Sequence, residues 1–148
     1  QDAYHIVAPD PDGTAVVYAI EQAIRDAGIK PSDIGYINAH GTSTQLNDKT
    51  ETLAIKKVFG EHAYSIPISS TKSMTGHLIG GTASLETAIC ILAMRNGVLP
   101  PTINLDNPDP ECDLNYIPNK ALDAEVSCCL NNSFGFGGQN VVLVMGKG

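Results

Sequence analysis

Between Gly80 and Met94 the chain reads "GGTASLETAICILAM", a helical stretch that is apolar almost all round and carries one charged residue, Glu86. A helix hydrophobic on every side is buried on every side. Leu85, Ala88, Ile89 and Leu92 mark its strongest face. The chain offers few other helices to wrap it, so part of its cover is expected from a sheet or partner encoded elsewhere.

The remaining segments alternate in character. Residues 14–27, "TAVVYAIEQAIRDA", place Val17, Ile20, Ile24 and Ala27 on one helical face, with Glu21 and Arg25 on another and Gly28 as the stop. "IGYINA" at 34–39 follows a turn signal at Pro31–Asp33 and reads as a strand. Residues 48–59, "DKTETLAIKKVF", open with Asp48 and carry Glu51 three positions later, the spacing of a capping box, before Gly60 ends the helix. "SIPISS" at 65–70 is a second short strand. The Pro-rich "VLPPTINLDNPDPECD" reads as an ordered surface loop, because its prolines disfavour regular structure. "VSCCLNNS" (126–133) and "NVVLVMG" (140–146) read as two strands joined by the glycine-rich "FGFGGQ". This order predicts one domain over residues 1–148, an α/β layered sandwich with a mixed sheet and helices on both sides.

Composition narrows the function classes. The net charge is −7, from 9 basic and 16 acidic residues, which argues against a basic face for nucleic acid. No apolar run is long enough for a bilayer, so no membrane role is expected, and no signal peptide is visible. The cysteines Cys90, Cys112, Cys128 and Cys129 form no CxxC pair, and adjacent Cys128 and Cys129 face opposite sides of a strand. Zinc and disulfides are therefore not expected, and a reducing compartment is the simpler reading: the cytoplasm, or an organellar matrix in a eukaryote. Because the first residue is Gln1 rather than Met, a processed or truncated piece is expected.

Three loops leave strand ends with unusual composition: "NAHGTST" (38–44), "SSTKSMTGHLIGG" (69–81) and "NNSFGFGG" (131–138). Ligands in open α/β sheets gather on such loops. His40 and His77 each sit beside a glycine, where a neutral imidazole N–H can donate to a developing oxyanion. A lone histidine there would be read as a turn cap; two in matching contexts point to function. His5 and His62 lie in more polar surroundings and receive no role. Lys72, in a small-residue loop, and Glu86, alone on an apolar helix, are expected to pair, since unpaired buried charge is costly. That pair either locks the loop to the helix or takes part in chemistry. "STKSMTG" lacks the upstream glycine of a phosphate-binding loop, and no third ligand accompanies His40 and His77 at metal spacing, so no metal is expected. Phe134 and Phe136 bracket Gly135, which suits either a mobile aromatic gate or an aromatic plug in a hairpin turn.

Taken together, "NAHGTST", "SSTKSMTGHLIGG", "PPTINLDNPD" and "NSFGFGGQN" resemble the C-terminal half of the β-ketoacyl-[acyl-carrier-protein] synthases, of the synthase II type. The resemblance runs in order along essentially the whole chain. It implies the thiolase-like fold, in which two similar α/β halves pack together, and a homodimer. It further implies fatty-acid elongation by decarboxylative Claisen condensation of malonyl-acyl carrier protein with an acyl group held on a cysteine of the N-terminal half. By that resemblance His40 and His77 are the two catalytic histidines, Lys72 is the active-site lysine and Glu86 its partner. The Phe136 amide completes the oxyanion hole used with the cysteine, and its ring gates the acyl pocket beside Phe134. Thr42 and Thr44 hold the phosphopantetheine arm. No cofactor is implied beyond the phosphopantetheine of acyl carrier protein.

The departures from the family pattern set the alternatives. No cysteine here lies in the nucleophile's motif, the first strand of the C-terminal half is expected to be missing, with "QDAYH" at its far end, and Thr82 and Ser84 replace residues of an alanine-glycine run. The chain alone is expected to be inactive and to need the N-terminal half. The other class of function is a non-catalytic chain-length or scaffold subunit of a polyketide-type synthase.

Overall fold

The computed structural model describes residues 1–6 and 8–147. Helix α1 (Thr14–Asp26) opens where Asp10 accepts the Asp12 and Thr14 amides. Its buried stripe is Val16, Ile20 and Ile24. Val17 is half-buried and Ala27 lies outside the helix and exposed, a small rotation of the expected face. The turn signal at Pro31–Asp33 is a single 3₁₀ turn in which Asp33 Oδ2 accepts the Lys30 amide at 2.8 Å. It feeds strand β1 (Tyr36–Asn38), shorter than the apolar run predicted.

Helix α2 (Gln45–Phe59) starts three positions before Asp48, and the expected capping box does not form. Asp48 Oδ1 instead accepts the Ser43 amide, and Glu51 turns inward. Gly60 caps the helix as expected. A 3₁₀ stretch (Gly60–Tyr64) takes the place of further coil, and strand β2 is only Ile68–Ser69 within the predicted 65–70. The short α3 (Lys72–Thr75) and a 3₁₀ turn (Ile79–Gly81) lead into α4 (Thr82–Asn96).

Among the described residues four strands form a mixed sheet in the order β2-β1-β5-β6. Strand β1 runs parallel to β2 and to β5 (Cys128–Gly135), and β5 pairs antiparallel with β6 (Gln139–Gly146). The hairpin is as predicted but tighter, with Phe134 inside β5 and only Phe136–Gly138 in the turn. The Pro-rich segment holds structure that periodicity did not reveal: β3 (Val98–Leu99) pairs antiparallel with β4 (Leu122–Asp123), and Thr102 bridges Pro118. Lys49 with Asp109 and Glu111, and Lys56 with Asp113, strap the loop to α2.

Side chains alternate across the sheet, as a period of two requires. Ile37, Ile68, Cys128 and Leu130 face α1 and α2, where Ile20, Ile55 and Phe59 complete one core. Tyr36 and Cys129 face α4 and meet Cys90, Ala93 and Met94 in a second. Each fully buried isoleucine contributes about 1.5–3 kcal/mol over its exposed state. Helices thus cover both sheet faces. The expected strong face of α4 does not lie in either core: its buried residues are Thr82, Glu86, Cys90, Ala93 and Met94, while Ala88 and Leu92 are exposed. A helix apolar on all sides is here covered on one.

Candidate active site

At the ends of the parallel strands β2 and β1 two of the three predicted loops meet, beside Phe134 of β5; the third loop is mostly strand. His40 follows β1 and is 8% exposed. Gly41 comes next with φ +42, and a Cβ there would stand 2.5 Å from Ser70 Cβ, so only glycine lets this loop lie against β2. The His40 and Gly41 amides donate to Glu51 Oε1 and Oε2 at 2.8 and 2.9 Å. Asn132 Nδ2, from β5, donates to Glu51 Oε1 at 2.9 Å. A fully buried carboxylate therefore ties the histidine loop to α2 and to the sheet. Burial raises its pKa, against these three donors, which lower it.

His77 enters from the second loop. Its ring centroid stands 5.7 Å from that of His40, nearly perpendicular at 88°. The Phe134 ring also stands against His40, centroids 5.3 Å apart and tilted by 54°. The expected convergence of the two imidazoles is present. His77 itself is exposed, and its Nδ1 accepts the Ile79 amide at 3.0 Å with the Thr82 hydroxyl 3.2 Å away. An Nδ1 that accepts an amide holds no proton, so a neutral His77 carries its proton on Nε2.

Burial, followed by the charges of Lys72 and His77, pulls His40 down to about 3. His40 is thus neutral throughout the physiological range. Its Nδ1 has no protein partner. Lys72 and Glu86 are paired as expected, both buried, with Lys72 Nζ donating to Glu86 Oε1 at 2.6 Å. Burial raises Glu86 and the lysine lowers it. The pair joins α3 to α4.

Thr42 and Thr44 share a hydroxyl hydrogen bond of 3.1 Å and both line a cavity of about 470 Å³ with Glu51, Lys72 and Tyr116. A larger open groove of about 640 Å³, between α1 and β6, contains none of these residues. Phe136 stands apart at the hairpin tip, 77% exposed, and the ring against His40 is that of Phe134. The N-terminal residues hold this tip: the Asp2 amide donates to Gly138 O at 2.9 Å and the Gly137 amide to Ile6 O at 2.8 Å. Gly138 has φ +71, and a Cβ there would collide with Asp2.

Glu51 and Asn132 are structural members of the site that the sequence reading missed. Glu51 was assigned to a helix cap. The signal that could have found it is its place on the apolar side of α2, beside Ala54 and Ile55. Among the described residues no group of three or more His, Cys, Asp or Glu is placed to hold a metal ion. Cys90, Cys128 and Cys129 are buried in the cores, and burial raises the Cys112 thiol, away from the reactive thiolate.

Residues 1–106 match the family described as "Beta-ketoacyl synthase, C-terminal domain". The chain is 56% identical over 146 residues to 3-oxoacyl-[acyl-carrier-protein] synthase 2 of Synechocystis sp. (99% of this chain, 35% of that protein). It is 51% identical to the protein of the same name from Coxiella burnetii, with the same coverage of 99% and 35%. The chain therefore spans 35% of the length of these curated relatives. Among solved structures it resembles a chain of a type II PKS acyl-carrier protein in complex with its ketosynthase, with TM-score 0.97 and 44% identity over 99% of this chain and 36% of that one. A β-ketoacyl synthase from Burkholderia phymatum gives TM-score 0.92 and 36% identity over 99% and 35%. A Xenorhabdus doucetiae ketosynthase in complex with its chain length factor gives 0.87 and 39% over 99% and 37%. The fold is the thiolase-like α/β fold of ketosynthases. Both its sequence and its architecture place the chain in one group: it belongs to the β-ketoacyl synthase C-terminal domain family.

Proposed function

We propose that this chain supplies the malonyl-binding side of a condensing site that elongates fatty acids. The observation that carries the proposal is the pair of imidazoles at right angles, 5.7 Å apart, with one buried and neutral and the other locked as a donor. His40 and His77 hold the thioester oxygen of malonyl-acyl carrier protein. The bond from C2 to the carboxylate breaks, carbon dioxide leaves, and the electron pair passes to an enolate whose oxygen the two rings stabilise. The enolate carbon then attacks the acyl thioester on a cysteine of the N-terminal half, the carbonyl re-forms and the cysteine leaves as thiolate. Each well-placed donor contributes about 3 kcal/mol to such a step.

Lys72, held by Glu86, places a positive charge near His40 and adds to the burial that keeps that ring neutral. Thr42 and Thr44 bind the phosphopantetheine arm along the cavity they line. The Phe136 amide serves the oxyanion of acyl transfer, and the Phe136 and Phe134 rings border the acyl pocket. Ile79, Ile91, Leu92 and Phe136 are exposed apolar side chains, and the N-terminal half covers them. The native enzyme is a cytoplasmic homodimer served by acyl carrier protein.

In the native polypeptide, His40→Ala and His77→Ala each abolish malonyl decarboxylation while cysteine acylation persists at least in part. Normal condensation by either variant would remove the catalytic assignment in favour of a chain-length or scaffold subunit. Retention of both histidines and of Lys72 supports the enzyme.

A further inference from the structure

His77 is the exposed member of the pair, and the bonds that hold its ring come from one short turn. The Ile79 amide can only donate, so Nδ1 carries no proton and the Thr82 hydroxyl, 3.2 Å away, must also donate to it. Thr82 is the first residue of α4 and is buried, so its hydroxyl is not simply a solvated surface group. Beyond the Ile79 amide, residue 79 is left-handed, with φ +51, which directs the chain that brings Thr82 back to the ring. A β-branched residue rarely adopts that conformation. Gly80 and Gly81, which adopt it readily, lie one and two positions later and have no positive φ. Nor does packing within the chain hold Ile79 there, since its side chain is 79% exposed. Strain of this kind persists where the surroundings over-determine it.

We propose that the Ile79–Thr82 turn is a tautomer lock: the Ile79 amide and the Thr82 hydroxyl, which the left-handed backbone of residue 79 brings to the same nitrogen, together position His77 as the Nε2–H donor. This rests on the assignment of His77 as an oxyanion donor, but the lock itself can be read without any turnover. In native polypeptide labelled with ¹⁵N-histidine, the wild-type His77 ring shows one tautomer, protonated at Nε2. Thr82→Val, which keeps the shape and removes the hydroxyl, leaves the Ile79 amide as the one bond to Nδ1, shifts the Nδ1 resonance and loosens the ring. It also lowers kcat for malonyl decarboxylation about 3–10-fold with KM within about twofold, the scale of one lost hydrogen bond. Thr82→Ser restores both readouts. Unchanged ring resonances in Thr82→Val overturn the lock. Altered resonances with unaltered decarboxylation leave the lock standing and remove the catalytic reading of His77.

The strain has its own control. Ile79→Gly and Ile79→Ala lose the same packing, so their difference reports the backbone alone. The glycine variant melts higher than the alanine variant, by about 1–3 °C, because left-handed backbone suits glycine. An alanine variant that melts as high or higher would show no strain at Ile79 and overturn that part of the lock.

Discussion

The two histidines meet from corners built in opposite ways. The His40 corner is closed by this chain: the ring is buried, its loop amides end on Glu51, and Glu51 is held in turn by Asn132 from the sheet. The His77 corner is open: the ring is exposed, its bonds come from neighbours in its own turn, and the apolar side chains around it face outward. One corner is pre-organised by the fold of this chain, and the other is left open by it. The Lys72–Glu86 pair ties α3, which leads to His77, onto α4.

The largest expected effect tests that tie. Lys72→Met leaves the buried Glu86 without a partner and costs about 3–5 kcal/mol, measured by chemical denaturation. Adding Glu86→Gln removes the stranded charge and recovers most of the loss. Two additive losses would show that the pair does not join the corners.

The next effect is confined to the closed corner. Glu51→Gln keeps the shape but offers one oxygen and an NH₂ where two amides and Asn132 donate. It costs about 2 kcal/mol in stability and loosens the His40 loop. A Glu51→Gln variant with wild-type stability would contradict the role given to that carboxylate.

Taken per pH unit, the smallest effect is the pH dependence of the same corner. An unfolded chain protonates His40 near 6.5, whereas burial holds the folded residue at about 3. Between those values the unfolded state binds the extra proton, so stability falls as the pH drops, by up to about 1.4 kcal/mol per unit. Glu51 and Glu86 act in the opposite sense: their folded pKa values are raised, so their contribution is lost as the pH rises through those values. Replacing His40 with Gln flattens the acid limb of a denaturation series. An equally steep limb in the variant would mean that His40 is not the residue held neutral.

The contrast between corners also explains what could be read from sequence. His40, His77, Lys72 and Glu86 were legible because each sets an ionisable group in surroundings that cannot simply solvate it. The alternation of helix and strand was legible for the same physical reason, since buried faces repeat at the period of their element. Glu51 was misread because capping-box spacing and an inward-facing carboxylate look alike until the helix start is known, and α2 begins at Gln45 rather than Asp48. Strands β3 and β4 are two residues each, too short to show a period. The apolar girth of α4 was read correctly, but its face was not. Leu85, Ala88, Ile89 and Leu92 include the most apolar residues, yet the side turned to the sheet carries Glu86 and Cys90 because that is where Lys72 and Cys129 stand. Hydrophobicity told how much of the helix must be covered; only the contacts told by what.

The most direct measurement is a crystal structure of the native polypeptide with a malonyl-thioester analogue that cannot lose carbon dioxide. The account predicts that a ring nitrogen of His40 and Nε2 of His77 both lie about 2.6–3.2 Å from the analogue's carbonyl oxygen. An oxygen bonded to one imidazole alone, or to neither, would contradict it.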